Sequence, residues 1–194
     1  MKVIFLDIDG VMNSTVFFQK RHKRRWFKLE FYKRWILSKI KFIFNGFKYK
    51  SYLLSGHYFN PKYQTFDYKF KRIKKETDSL KWKWLSDFCN ERNYKICISS
   101  HWKRHFKDDN DWNKALVKLG FNDDIYIGIT GDRRTLRGTE IKEFVDKNKD
   151  IEKYAVLDDD SDMLPEQLST CYFQVDGWYG LTPNHLYRIN RYFT

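Results

Sequence analysis

The chain has 194 residues, of which 42% are apolar, so it can bury a core, and global disorder is excluded. It carries 37 Lys and Arg against 25 Asp and Glu, a net charge of +12, and no apolar run approaches the length that spans a membrane. Its three cysteines form no CxxC pair, which predicts a reduced, cytoplasmic protein without disulfides or a structural zinc site.

Short apolar runs alternate with helical patterns along most of the chain. The runs KVIFLDI, YKICISS, YAVLDDD and CYFQVD are typical of buried strands. The stretch DSLKWKWLSDFCNERN predicts a helix that is capped by Asp78. Its inward face is expected to carry four apolar side chains, those of Leu80, Trp84, Leu85 and Phe88.

Three more helices follow, each with a predicted cap. Asp111 is expected to cap the helix of DWNKALVKLG, and Thr139 that of GTEIKEFVDKN. Thr182 precedes Pro183 at the start of TPNHLYRINRYF, which is the arrangement of an N-cap followed by a first-turn proline. Strands that alternate with single helices predict an α/β fold, a Rossmann-like parallel sheet with flanking helices.

The first predicted strand ends in two aspartates one residue apart, in FLDIDG. Side chains in a strand alternate between faces, so Asp7 and Asp9 face the same space and repel each other. A hard cation with oxygen ligands, such as Mg²⁺, would allow both to stay ionised, and Gly10 lets the chain turn sharply after them. The alternative is a solvated turn at the end of a strand.

A second acidic cluster follows the strand of AVLDDDSDM. It consists of Asp158, Asp159, Asp160 and Asp162. The alternative here is an acidic helix N-terminus, but four acids in five residues exceed what capping needs. We therefore predict metal binding, with Asp158 as the best ligand and with Asp159 and Asp162 as competitors for the second position.

Two other stretches carry groups that suit a phosphate. Ser99 and Ser100 follow the strand of ICISSHW, where a hydroxyl can bind a phosphoryl oxygen or cap a helix. Arg137 precedes a helix start in GDRRTLRGTEI and can supply a cation, with Arg133 and Arg134 as competitors and solvated loop arginines as the alternative. Because ligands bind at the carboxyl ends of parallel strands, all these groups are expected at one edge of the sheet.

In this order and spacing, the motifs resemble the haloacid dehalogenase (HAD) superfamily of phosphotransferases. More narrowly, FLDIDGVMN, ISSHW, RGTEI, LDDDSDM and GLT look like the HAD modules linked to RNA repair proteins and the phosphatase half of polynucleotide kinase-phosphatases. The resemblance covers a core of residues 1–12 and 79–194. It departs from the pattern at His101-Trp102-Lys103, where the family has a serine and an arginine around the tryptophan.

The resemblance implies a Mg²⁺-dependent phosphatase. Asp7 would attack phosphorus and form an aspartyl-phosphate, and Asp9 would protonate the leaving oxygen and then deprotonate the hydrolytic water. It implies a metal held by Asp7, the Asp9 carbonyl, Asp158 and one of Asp159 and Asp162. It also implies four residues around the phosphoryl group, namely Gly10, Ser99, Ser100 and Arg137.

Residues 13–78 differ from the rest of the chain. They hold 18 Lys and Arg against 4 Asp and Glu, a net charge of +14, and 18 of the 37 aromatic residues. The resemblance implies that this insertion after the first strand forms a cap, and its spacing predicts a largely helical one. Clustered cations with aromatics suit phosphate backbones and base stacking. The candidate contacts are Lys20, Arg21, Lys23, Arg24 and Arg25. The alternatives are a solvated face over an aromatic core and an anionic membrane surface.

Three functions are compatible with these features. The first is a phosphatase of nucleic-acid ends, with 3′-phosphates favoured, and the second is a phosphatase of nucleotides or other small phosphate esters. The third is a nucleic-acid-binding protein on a HAD scaffold that has lost its activity. The intact DxD motif favours an enzyme, and no stable membrane association is expected.

Overall fold

The computed structural model describes residues 1–26, 65–106, 108–131 and 136–194, with the backbone alone for 21–26. The strands are β1 Lys2–Leu6, β2 Lys95–Ile98, β3 Tyr126–Ile129, β4 Lys153–Asp158 and β5 Tyr172–Gln174. The helices are α1 Thr15–Trp26, α2 Phe66–Glu76, α3 Ser79–Arg92, α4 Asp109–Lys118, α5 Arg137–Lys147, α6 Pro165–Thr170 and α7 Pro183–Phe193, with a 3₁₀ helix at His101–His105.

The five strands form one parallel sheet in the order β3-β2-β1-β4-β5. In the centre, Leu6 of β1 pairs with Ile98 of β2 on one side and with Leu157 of β4 on the other. The carboxyl ends of these three strands therefore lie side by side. The predicted Rossmann-like α/β fold is confirmed, and the strand order puts the acidic motifs next to each other.

Strand β3 is the one element of the sheet that the sequence patterns do not predict. It has four residues, includes Gly128, and follows the acidic pair Asp123 and Asp124. Its pairing with β2 is also irregular, because the register shifts between Ile96 and Cys97. A strand this short and interrupted by glycine carries too few apolar residues to stand out from a loop.

The core lies on both faces of the sheet, as alternation along β1 requires. Ile4 and Leu6 belong to one hydrophobic cluster, and Val3 and Phe5 belong to the other. The larger cluster includes apolar residues of α3, α4 and α7, and the smaller one includes Ile141 of α5. Helices that cover both faces keep water away from the strands and leave the ends of the sheet open to ligands.

Helix α3 forms as predicted, but its inward face differs by one residue. Asp78 caps it, with its side chain accepting a hydrogen bond from the Leu80 N–H at 2.9 Å. Leu80 is 50% exposed, so the prediction that it faces inward is wrong. Trp82 takes that place, because its indole N–H donates to the Thr77 hydroxyl at 2.7 Å and the ring can be buried without an unpaired donor. Leu85 and Phe88 are buried as predicted.

Two of the other predicted caps are wrong. Asp108 caps α4 and accepts from the N–H of Asp111 at 2.8 Å, so Asp111 lies in the first turn. Helix α5 begins before Thr139, with Leu136 at the cap position and no side-chain cap bond. Thr182 caps α7 and is followed by a proline at the first helical position, which confirms that prediction.

The described ends of the predicted insertion are both helical. Helix α2 packs Ile73, which is fully buried, and the half-buried Phe66 and Phe70 against the larger core cluster. The boundary of the insertion at residue 78 stays a prediction. No helix within the described ranges is both long and apolar enough to cross a bilayer. The three cysteines are buried and unpaired.

Candidate active site

Three carboxylates meet at the carboxyl ends of β1 and β4. Asp7 follows β1, and Asp158 ends β4, and both are buried. The Asp7 N–H donates to the Leu157 carbonyl at 2.9 Å, which fixes the main chain at this point. Asp7, Asp158 and Asp159 each offer an oxygen, and these atoms lie within 4.8 Å of one another.

The Arg137 guanidinium lies between two of these acids. Its Nη1 is 2.7 Å from Asp7 Oδ1 and 2.6 Å from Asp158 Oδ2. Burial alone would lower the pKa of Arg137, but the charges of the two carboxylates outweigh burial and hold the pKa above its usual value. Of the three arginines that the sequence left open, Arg137 thus reaches the acids, and Arg133 and Arg134 lie outside the described residues.

A close approach of two backbones brings Arg137 to this position. The N–H of Gly138, the next residue, donates to the Asp162 carbonyl at 3.2 Å. A Cβ at Gly138 would lie 2.3 Å from Gln167 Oε1 and 2.4 Å from the Leu164 nitrogen. Glycine therefore allows the start of α5 to lie against the segment that follows the acidic cluster.

The three acids carry more negative charge than Arg137 offsets. Burial, together with the charge of Asp7, raises the pKa of Asp158 to about 8, even though Arg137 opposes the rise. Burial also raises the pKa of Asp7, against Arg137 and a hydrogen bond from Ser100. Carboxylates crowded in this way gain from a further cation, and an all-oxygen set of ligands suits Mg²⁺. The residues present therefore fit a hard divalent metal.

The structure separates the two acids that competed for the second metal position. Asp159 belongs to the cluster, and burial raises its pKa as well. Asp162 lies beside Arg137, with its Oδ1 3.8 Å from Nε. The turn at Gly10, where φ is +67°, approaches Asp159 so closely that a Cβ there would lie 2.0 Å from Oδ2. Glycine at this position therefore allows both the turn and the contact.

Asp9 is exposed and lies apart from the cluster, held by two donors. Its Oδ1 accepts from the Trp102 indole N–H at 2.9 Å and from Asn13 Nδ2 at 2.8 Å. Asn13 also accepts from the Gly10 N–H at 2.9 Å, which closes the loop between them. Both bonds to the acid engage Oδ1, and within the described part of the chain none is donated to Oδ2. The two donors thus orient one oxygen of Asp9.

The two serines differ in what they contact. The Ser100 hydroxyl forms a hydrogen bond with the Asp7 carboxylate and also accepts from the Trp102 N–H at 3.2 Å. The Ser99 N–H continues the sheet by donating to the Leu6 carbonyl at 3.0 Å, and its hydroxyl is buried without a hydrogen-bond partner among the described residues. Ser100 is therefore the serine that lies against Asp7.

Sequence reasoning assigned no role to several residues of the site. Asn13 and Trp102 hold Asp9, and both stand in the motifs that carry the family resemblance. Lys103, where the family pattern has arginine, forms a buried ion pair with Glu140 and donates to the Gly131 carbonyl. This pair ties the 3₁₀ helix to α5. The departure from the family pattern at residue 103 was the sequence signal that could have identified Lys103 as a residue with a structural role.

A cleft of about 540 Å³ opens beside these groups. Asp9, Asp159, Trp102, Phe18 and Arg72 contribute to its wall. Its acidic side belongs to the strand ends, and its aromatic and basic side belongs to α1, α2 and the 3₁₀ helix. Of the predicted cap contacts, Lys20 is exposed on α1. The side chains of four others lie outside the described residues, namely Arg21, Lys23, Arg24 and Arg25.

Comparison with known proteins identifies a family for this chain. The model of the family described as the HAD domain in Swiss Army Knife RNA repair proteins matches residues 3–186. No curated protein and no solved structure matches the chain. The matched range includes every residue of the acidic cluster as well as Arg137.

Proposed function

This chain belongs to the family of HAD domains in Swiss Army Knife RNA repair proteins, and from that premise we propose that it is a Mg²⁺-dependent phosphatase of nucleic-acid ends, with 3′-phosphates favoured. Membership makes it a hydrolase of the HAD type. The metal, the polynucleotide substrate and the end acted on belong to the proposal. The observation that carries it is the buried Arg137 bridging Asp7 and Asp158 at the ends of two adjacent parallel strands.

Asp7 is the proposed nucleophile. Its carboxylate is buried and held by Arg137 and Ser100, which limits its motion and aims it at one side of the site. In the first step an Asp7 oxygen attacks phosphorus, a new P–O bond to Asp7 forms, and the bond from phosphorus to the ester oxygen breaks. Arg137 and the Ser100 hydroxyl are the groups of this chain that offset the negative charge of the phosphoryl oxygens.

Asp9 is the proposed acid and base. It gives its proton to the ester oxygen as that oxygen leaves, and the product alcohol departs. It then takes a proton from a water that attacks the aspartyl-phosphate, so that inorganic phosphate leaves and the Asp7 carboxylate is restored. The bonds from Trp102 and Asn13 to Oδ1 support this role, because they orient the carboxyl group and leave Oδ2 for the proton.

Asp7, Asp158 and Asp159 are the proposed metal ligands, with the Asp9 carbonyl as a further oxygen donor. The support is the crowding of three carboxylates, two of which contact one guanidinium. Bound Mg²⁺ would neutralise charge on the phosphate and on the two buried acids. Asp162 lies beside Arg137, and its charge is proposed to favour the cationic form of the guanidinium.

The charge distribution supports a polynucleotide substrate. Residues 13–78 carry a net charge of +14, and the rest of the chain carries −2. A mononucleotide has one phosphate, which the metal site and Arg137 already engage. An oligonucleotide has further phosphates that Lys20 and the four basic residues after it can contact. The second candidate, a phosphatase of nucleotides, is supported by the cleft, whose volume is that of an ordinary small-ligand site.

The test compares kcat/KM for a 3′-phosphorylated oligonucleotide, its 5′-phosphorylated counterpart and a matched 3′-nucleotide, each at low and high salt. We expect the 3′-phosphorylated oligonucleotide to be the best substrate at low salt and to lose its advantage at high salt. Asp7→Asn serves as the inactive control, because the amide is nearly isosteric with the acid but is a poor nucleophile. Equal kcat/KM values for oligonucleotide and nucleotide at both salt concentrations would exclude the polynucleotide phosphatase and leave the phosphatase of small phosphate esters.

A further inference from the structure

The cleft beside Asp9 has a row of three different chemical groups along one wall. Asp9 is hydrogen-bonded to the Trp102 indole at 2.9 Å, and the Arg72 guanidinium carbon lies 5.7 Å from the centre of the Trp102 ring system. Phe18 lines the same cleft from α1. The order along the wall is therefore a carboxyl group, an aromatic surface and a cation.

Arg72 is oriented within this wall by Glu76. Its Nε lies 3.1 Å and 3.2 Å from the two Glu76 oxygens, a pair one turn apart on α2. No described residue accepts a hydrogen bond from either terminal nitrogen of the guanidinium, and the side chain is 52% exposed. Both residues line the cleft. Two N–H₂ groups of fixed direction are thus available to an anion there, and a guanidinium fork suits phosphate oxygens.

The end of a 3′-phosphorylated nucleic acid presents groups that complement this wall in the same order, namely the leaving oxygen, the terminal nucleoside and the next phosphate. If Asp9 protonates the leaving oxygen, then the leaving nucleoside lies on the Asp9 side of the scissile phosphate, next to Trp102. In a 3′-phosphorylated strand, that nucleoside is followed on its 5′ side by an internucleotide phosphate. An aromatic surface suits the nucleoside and a cation suits the phosphate beyond it. The wall therefore complements a nucleotide unit longer than a mononucleotide.

We infer that Arg72 binds the internucleotide phosphate adjacent to the terminal nucleotide, while Trp102 and Phe18 contact the terminal nucleoside. The inference rests on the proposed function, and it deepens it by naming the smallest selected substrate, a 3′-phosphorylated dinucleotide. It also assigns the selection to a residue of α2. A mononucleotide lacks the phosphate that Arg72 binds and gains nothing from it.

Binding is measured without turnover so that a failure of catalysis does not hide the result. The Asp7→Asn protein is titrated by isothermal calorimetry, in Mg²⁺, with a 3′-phosphorylated dinucleotide and with the matched 3′-mononucleotide. Arg72→Gln is then introduced into the Asp7→Asn protein, and the titrations are repeated. Lys71→Gln in the same background is the control, because Lys71 is an exposed residue of the same helix that carries the same charge and does not line the cleft. Circular dichroism verifies that all variants fold alike.

We expect Arg72→Gln to weaken dinucleotide binding about tenfold, as for loss of a hydrogen bond to a charged group, and to change mononucleotide binding less than about twofold. Lys71→Gln should leave both affinities near those of the parent. The inference is overturned if the parent binds both ligands equally, if Arg72→Gln weakens both alike or neither, or if Lys71→Gln matches it. A protein with native Asp7 that binds the dinucleotide selectively but hydrolyses no phosphomonoester would instead overturn the proposed function.

Discussion

Replacing Trp102 by phenylalanine tests whether its indole N–H positions Asp9 for proton transfer. The substitution keeps an aromatic ring in the cleft and removes the donor that lies 2.9 Å from Asp9 Oδ1. Asp9 retains the bond from Asn13, so its carboxyl group stays nearby but can rotate. We expect a lower kcat, because Asp9 must deliver a proton in the first step and accept one in the second.

The structure limits the size of this effect. A hydrogen bond to a charged group contributes about 1.5–3 kcal/mol. Asp9 is exposed and has a second donor, so the lower end applies, and about 1.5 kcal/mol corresponds to roughly a tenfold decrease in kcat. Asn13→Asp is nearly isosteric but places an oxygen where an N–H group faced Asp9. That change adds repulsion between the two carboxylates and should lower kcat by about a hundredfold relative to the parent.

The assay uses glycerol 2-phosphate, because its alkoxide leaving group needs a proton and the molecule has no second phosphate for Arg72. Because Trp102 holds the acid rather than the phosphoryl group, KM should change less than about twofold while kcat falls. Trp84→Phe is the matched control, since Trp84 is also half-buried but lies on α3, outside the cleft. The reasoning is refuted if Trp102→Phe keeps a kcat within about twofold of the parent, or if Trp84→Phe lowers kcat to the same extent.

Four other predictions follow from the site and the charge distribution. Asp7→Asn should abolish turnover with an unchanged circular dichroism spectrum, and appreciable hydrolysis by the purified variant would exclude Asp7 as nucleophile. Excess Mg²⁺ should partly restore the activity of Asp158→Asn but not that of Asp9→Asn, and the reverse pattern in a metal titration would mean that the two roles are misassigned. For oligonucleotide binding by the parent, three phosphate contacts of about −0.7 each predict a slope of about −2 in log K against log salt, which is a loss of about 16-fold in affinity from 50 to 200 mM salt. Replacing Lys20, Arg21, Lys23, Arg24 and Arg25 with Gln should flatten this slope, and an unchanged slope in oligonucleotide titrations would place the contacts elsewhere. Lys103→Met should lower the free energy of unfolding by about 3–5 kcal/mol in urea, because it breaks the buried ion pair with Glu140. Lys142→Met, which removes an exposed pair on α5, should cost less than about 1 kcal/mol, and equal losses would contradict this prediction.

The sequence by itself determined the framework of the site. Asp7 and Asp158 each come at the end of an apolar run, and such runs predict strands of a parallel sheet. The carboxyl ends of parallel strands lie at one edge, so residues 151 positions apart in the chain could be expected to meet. The family resemblance rests on the same short motifs. These features could be predicted because they depend only on periodicity and on position relative to a strand.

The tertiary structure decided which of two neighbouring candidates reaches the site. Ser100, rather than Ser99, lies against Asp7, because Ser99 still pairs with β1 and the chain turns only after it. Asp159 joins the acidic cluster and Asp162 does not, because the segment after β4 bends around Gly10 and the start of α5. Beyond the last paired residue of a strand, the direction of a side chain depends on the local turn, which periodicity does not specify.

Two groups on the wall of the cleft beside Asp9 were also decided by tertiary structure alone. Trp102 reaches Asp9 across 93 residues of chain. Arg72, which lies over the Trp102 ring, comes from a helix within the predicted insertion that packs on the core through Ile73. Each of these contacts depends on how a helix is rotated about its axis and how far it lies from the sheet. Both quantities are set by the packing of large side chains between layers, which is a property of the whole fold and not of any one segment.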